Sequence, residues 1–353
     1  RITRNRNVYF FIGQAREHKA MLTQQVITHT LKRKRYNHTR QRNLWKVAAT
    51  AAAITFIPQL TRGDKSFCTT TTSTKKKEGP MLLQLTEKWQ QSPDSWKLRF
   101  ALPPNRTILG NDPFVPTCVS VKYKGVNESG EEEVLKKSYS PISHPSTEGV
   151  VDFLVKEYPP RPGGGVGAYI CSLTPGESLT ASLKAERMMH GSPVVSKRWK
   201  KVGLVGGGTG VAPLIQIVRI LLDDPEDDTT IQFLSINRKE RDILMKNDLD
   251  QLVKDYPGRF SITYSLTDPP ENWNGEVGRG TVDMIREALP EPAGADGSTM
   301  ILVCGMDGFV ESWAGPVGRA PPLPDGSKGP KIQGPLLGLL ADAGYDASEV
   351  FKY

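Results

Sequence analysis

Residues 201–213, KVGLVGGGTGVAP, gather the side-chain-free positions that phosphate chemistry needs. An apolar run (Val202, Leu204, Val205) meets Gly206, Gly207, Gly208, Thr209 and Gly210. Pro213 then opens a second run of Leu214, Ile215, Ile217, Val218, Ile220, Leu221 and Leu222. This reads as a strand, a tight glycine turn and a buried helix, with proline in the first helical turn where its missing N–H costs nothing. Glycines let a backbone approach a ligand closely, and a helix N-terminus offers unpaired N–H groups to a pyrophosphate. The spacing is not GxGxxG, and glycine turns of this kind also precede helices that bind nothing. The four cysteines (Cys68, Cys118, Cys171, Cys304) form no CxxC pair, and the five histidines show no metal spacing, so neither a disulfide scaffold nor a metal site is expected.

The elements that must carry this turn emerge from pattern. Short alternating segments at 81–86, 96–101, 118–123, 150–155 and 178–183, broken by Pro, Gly and Asn, predict an antiparallel β-barrel over 81–198. From 199 the texture changes. Strands at 202–205, 230–236, 260–265 and 300–304 alternate with helices at 213–222, 247–255, 282–289 and 335–343. That alternation predicts an α/β domain over 199–353 with a parallel sheet, whose ligands lie at the carboxyl ends of the strands. Residues 206–210 and 304–305 both fall there. The Pro- and Gly-rich stretch 314–334 reads as a surface insertion.

The chain's net charge of +8 is unevenly placed. Residues 1–60 hold twelve basic side chains and one acid, Glu17, a net +11, so residues 61–353 carry −3. A mildly acidic body lacks the clustered cations that nucleic acid requires. The Arg-rich, acid-poor segment 1–46 has the composition of a mitochondrial or plastid transit peptide, with the mitochondrion expected, or of a basic arm laid against another subunit or anionic lipid. Residues 47–61, VAATAAAITFIPQLT, are uncharged but shorter than the ~20 apolar residues that span a bilayer, and read as a short membrane anchor in preference to a buried or interfacial helix. Residues 62–80 read as a polar linker.

A barrel followed by a nucleotide fold resembles the ferredoxin–NADP reductase superfamily, and within it the NADH–cytochrome b5 reductases. Four blocks carry the resemblance in the family's order: KSYSPIS (137–143), VVDFLVKEY (150–158), GGGVGAY (163–169), and VGGGTGVAP with ILVCG (301–305). It covers about residues 81–353, and the aromatic ending (Phe351, Tyr353) agrees.

The resemblance implies a role for each matching residue. The family's Arg-x-Tyr-Ser/Thr reads here Lys137, Ser138, Tyr139, Ser140: a ring to stack on isoalloxazine, a cation for the FAD pyrophosphate, and a hydroxyl near the atom that takes the hydride. Without the other blocks it would read as a strand-end Tyr-Ser-Pro turn. By the same resemblance Leu154, Lys156 and Tyr158 of the second block belong to the cofactor site, Lys156 helping to place the nicotinamide dinucleotide. The family's GxxS turn becomes Gly164, Gly165, Val166, Gly167, which keeps main-chain N–H groups for phosphate and loses the serine hydroxyl. Gly208, Thr209 and Gly210 are implied to approach the dinucleotide pyrophosphate, with Ala212 near the flavin. Cys304 is implied to lie beside the exchanging atoms as a packing and polarising group, with Gly305 and Met306 in place of Gly-Pro-Pro. The family's NADH-selecting aspartate after Tyr-x-Leu falls on Thr267, with the acid displaced to Asp268, and Arg238 nearby could attract a 2′-phosphate. NADH is the expected donor, with NADPH possible. The family's Arg-Gly-Pro turn is replaced by residues 184–191, which take no role from the resemblance.

The reading is an FAD-dependent NAD(P)H reductase passing electrons singly to a cytochrome b5-like or other haem acceptor at a mitochondrial membrane, with Ser140, Lys156 and Cys304 at the reacting centre. A quinone or metal-centre acceptor is a variant of it. The alternative is a reductase-fold structural or assembly subunit with a degenerate flavin site, motivated by Lys137, Gly167 and Met306.

Overall fold

The structure is a computed structural model that describes residues 79–126, 129–159, 164–324 and 329–353. The expected targeting segment, the anchor at 47–61 and most of the linker lie outside the described residues. Among the described residues no helix is long and apolar enough to cross a membrane.

The first sheet has six strands: β1 (Met81–Ser92), β2 (Ser95–Ala101), β3 (Val119–Val126), β4 (Glu132–Tyr139), β5 (Val150–Lys156) and β6 (Ser178–Leu183). Their order is β4-β3-β6-β1-β2-β5, and every pairing is antiparallel. Alternation sets the faces. Leu83 and Leu85 of β1 are fully buried while Leu82 is exposed. Helix α1 (Val166–Ser172) packs on this sheet, its Val166, Ile170 and Cys171 joining the core of Leu98, Phe100, Val119 and Phe153. Strand β4 escapes the sequence pattern because EEVLKKSY buries only Tyr139. It is an edge strand, where charged side chains block further pairing.

The second sheet is parallel throughout. It comprises β7 (Lys201–Gly206), β8 (Thr230–Asn237), β9 (Phe260–Leu266), β10 (Glu276–Val277), β11 (Thr299–Cys304) and, after two short strands β12 (Gly318–Arg319) and β13 (Lys331–Ile332), β14 (Val350–Lys352). The order is β10-β9-β8-β7-β11-β14. Successive strands run outward from β7 to β10, and the chain then returns to the other side of β7. The switch point thus falls between β7 and β11, where Gly206 pairs with Cys304. Helices α2 (Val211–Asp223) and α3 (Lys246–Asp255) pack on one face, and α4 (Val282–Ala288), α5 (Asp307–Ala314) and α6 (Leu339–Asp342) on the other.

Two expectations are corrected. The helix at 335–343 shrinks to α6, because Gly338 takes φ +73 and bars a helical run through it. Helix α5 was unforeseen; its CGMDG approach reads as loop, but the fully buried Trp313 anchors it. The insertion at 314–334 folds back as the β12–β13 ribbon. Its ends are tied by Lys352, buried on β14, whose Nζ donates to the carbonyls of Ala314 (3.1 Å), Pro316 (3.1 Å) and Pro335 (2.8 Å).

The sheets meet along a shared core. Ile142 and Leu154 from the first domain, with Met189 from the connecting loop, pack in one cluster with Val211, Ala212 and Leu214 of α2. His144 Nε2 also stands 3.7 Å from Asp223.

Candidate active site

On the first sheet the expected flavin residues converge. Tyr139, at the end of β4, is buried, and its hydroxyl has no hydrogen-bond partner among the described residues. A buried hydroxyl without a partner is rare, and a bound molecule is one way to supply it. A Cβ on Gly167 would lie 3.8 Å from that hydroxyl, 3.8 Å from the Tyr158 ring and only 2.7 Å from the Lys156 carbonyl. The start of α1 therefore lies pressed between Tyr139, Tyr158 and the end of β5. Lys137 Nζ stands 4.7 Å from the Tyr158 ring centroid, bringing a cation to the same place. Gly165 precedes α1 in extended conformation, and Val166 opens the helix. Burial chiefly, with Cys171 and Tyr158 adding, pushes the Tyr139 phenol well above its ordinary value, so it stays protonated and can donate.

Ser138 and Ser140 have hydroxyls within hydrogen-bond reach of the Cys118 thiol. Ser138 also accepts from Lys184 Nζ at 3.0 Å. Leu154 is buried in the interdomain core together with Ala212, so its side chain packs and only its main chain is left for a cofactor. Lys156 is held by Asp94 at 2.6 Å, a contact that a dinucleotide phosphate would have to displace.

The nucleotide side is built from four strand ends, those of β7, β8, β9 and β11. Gly208–Gly210 form a 3-10 turn between β7 and α2. A Cβ on Gly210 would stand 2.2 Å from the Cys304 carbonyl, which only glycine permits. Gly208 takes φ +53 facing open space, and its N–H donates to Asn237 Oδ1 at 3.2 Å. Thr209 is half-buried between them. At the end of β9, Thr267 and Asp268 are exposed; Thr267 N–H donates to the Asn237 carbonyl (3.1 Å), and Lys239 pairs with Asp268 at 3.1 Å. Cys304 is half-buried at the switch point. Burial, against the milder pull of Arg187 and Lys331, pushes its thiol up to about 12, so it is a neutral wall and not a nucleophile. Gly305 packs under Phe309, and Met306, 76% exposed, opens α5.

Three groups escaped the sequence reading. Asn237 joins the glycine turn to the end of β9, and its place at a strand terminus beside the switch point was the available signal. The unassigned loop 184–191 supplies the other two. Lys184 reaches Ser138, and Arg187 stacks over Tyr353 at 4.6 Å, where its charge acts on both Cys118 and Cys304. Burial foremost pushes the Tyr353 phenol up, with Arg187 opposing and the two thiols adding to the rise.

The Tyr139–α1 cluster of the first sheet and the glycine turn at the parallel-sheet switch point, joined through the core of Leu154 and Ala212, form the arrangement of a two-domain flavin and nicotinamide oxidoreductase. Residues 82–184 match the family model "Oxidoreductase FAD-binding domain", and residues 204–314 match "Oxidoreductase NAD-binding domain". The fold is similar to the cytochrome b5 reductase domain of Ulva prolifera nitrate reductase, with TM-score 0.62 and 24% identity over 78% of this chain and 97% of that one. The chain is 32% identical to NADH-cytochrome b5 reductase 2 of Neurospora crassa, covering 78% of this chain and 74% of the relative. It is also 32% identical to an NADH-cytochrome b5 reductase-like protein of Arabidopsis thaliana, covering 79% and 81%. The chain belongs to the NADH-cytochrome b5 reductase family and is an FAD- and NAD-binding oxidoreductase.

Proposed function

We propose that this chain accepts a hydride from NADH and releases the two electrons singly to a cytochrome b5-type haem protein, working at a mitochondrial membrane. FAD, when bound, supplies the change from two-electron to one-electron transfer. The chain's own residues bind and orient. Tyr139, Lys137 and the first turn of α1 hold the flavin nucleotide. Gly208–Gly210 receive the dinucleotide, and Asn237 holds that turn through the Gly208 N–H. Cys304 keeps its proton and closes the site as an uncharged surface.

The observation that carries this reading is the register pairing of Gly206 with Cys304, which brings the glycine turn and the thiol to one point beside β5. The haem acceptor is supported by the names of the relatives. The mitochondrial location is supported by the twelve basic residues and single acid of positions 1–60. No observation favours the structural-subunit reading. Gly167, one of its motives, has a local reason in the approach of the Lys156 carbonyl.

The test is a visible spectrum of the FAD-loaded protein without oxygen, titrated with NADH and, separately, with NADPH, then mixed with ferric cytochrome b5. The expected result is a flavin band bleached faster by NADH and reoxidised by two equivalents of cytochrome. A protein that stays colourless when FAD is supplied would return the structural-subunit reading. A fusion of residues 1–61 to a fluorescent protein that remains in the cytosol would remove the mitochondrial placement.

A further inference from the structure

Helix α2 carries one amide among its buried residues. Gln216 is 1% exposed and flanked by Ile215 and Ile217, which are fully buried. An amide in such a place destabilises the fold unless both of its ends are hydrogen-bonded. Both ends find the same residue. Thr117 N–H donates to Gln216 Oε1 at 2.8 Å, and Gln216 Nε2 donates to Thr117 Oγ1 at 3.2 Å.

The two partners lie on opposite sides of the domain boundary. Thr117 is buried two residues before Val119, the residue of β3 that pairs with Tyr139. Its neighbour Cys118 lies against the hydroxyls of Ser138 and Ser140. Gln216 lies six residues past Gly210, on the helix that begins at the dinucleotide turn. The buried cluster that Ile142 and Leu154 share with Ala212 and Leu214 is apolar. Apolar surfaces resist separation but specify little direction. A two-point hydrogen bond specifies both distance and angle.

We infer that Gln216, acting through Thr117, is a positioning residue that fixes the FAD-binding sheet against the helix presenting the dinucleotide turn, and so sets the gap across which hydride passes. The inference rests on the reductase reading above.

The experiment uses the FAD-loaded protein and tracks flavin bleaching by NADH in rapid mixing. It also tracks the long-wavelength charge-transfer band between oxidised nicotinamide and reduced flavin. Gln216→Met keeps the volume and removes the amide. It is expected to keep full FAD, to bind NADH within about threefold of the parent, to bleach up to about a hundredfold more slowly and to lose the band, since an error near 1 Å can cost that much. Thr117→Val deletes only the hydroxyl and is expected to slow bleaching about threefold. Combined with Gln216→Met it adds nothing further, because the two residues form one pair. Gln216→Glu keeps an acceptor for Thr117 N–H and is expected to recover most of the rate. Bleaching at the parent rate with the band intact in Gln216→Met overturns the inference. Where that variant fails to fold, the same result in Thr117→Val overturns it. A parent protein that NADH does not bleach is the failure of the reductase reading instead.

Discussion

Gly167 stands where the family's pattern has serine, and its surroundings explain why. A Cβ there would come 2.7 Å from the Lys156 carbonyl, a main-chain atom that cannot turn aside. Restoring the family residue is therefore expected to harm this chain. Gly167→Ser pushes α1 off β5 at a cost of about 1–3 kcal/mol, lowers the melting temperature and weakens FAD retention on gel filtration. Tighter FAD binding by that variant would show that the helix has room to shift. Tyr139 and Gly210 were legible from sequence because their motif neighbours fix their places. The pairing of Lys156 with Asp94 was not legible, since sixty-two positions separate the partners and nothing local marks them.

Elements were legible where composition and burial coincide. The strand, turn and helix around Gly206–Gly210 announce themselves because β7 and α2 are buried almost throughout. Strand β4 was hidden by its edge position, and loop 184–191 by the fact that its work consists of distant contacts, Lys184 to Ser138 and Arg187 to Tyr353. The insertion at 314–334 looked free in sequence yet is closed by one ammonium. Lys352→Met deletes three bonds to carbonyls and is expected to cost about 3 kcal/mol, charged hydrogen bonds being the stronger kind. Limited proteolysis should then cut first within the β12–β13 ribbon. An unchanged digestion pattern would mean that Gln333, which exchanges two hydrogen bonds with the Lys352 main chain, is sufficient alone.

At the scale of the whole molecule, the buried acids set its response to alkali. Burial pushes the thiols of Cys171 and Cys304 to about 12 from an ordinary 9.0, and raises the phenols of Tyr139, Tyr264, Tyr345 and Tyr353. The folded chain thus keeps protons that the unfolded chain releases. Stability from these groups is complete below about pH 9 and falls as pH rises toward 12. Lys352, lowered by burial, works in the opposite direction but is one group among many. Thermal melts are expected to drop steadily above pH 9, with a shallower slope in Cys171→Ala; a flat profile to pH 11 would contradict this. The position of β14 in the chain also orders events during synthesis. Strand β14 completes the parallel sheet beside β11, and Tyr353, made after every other described element, lies against Arg187 beside Cys304. A ribosome can release the flavin-binding sheet to fold while β14 is still untranslated. Of the described elements β14 is thus the last to join, so the antiparallel sheet can reach its fold while the parallel sheet still lacks a neighbour for β11.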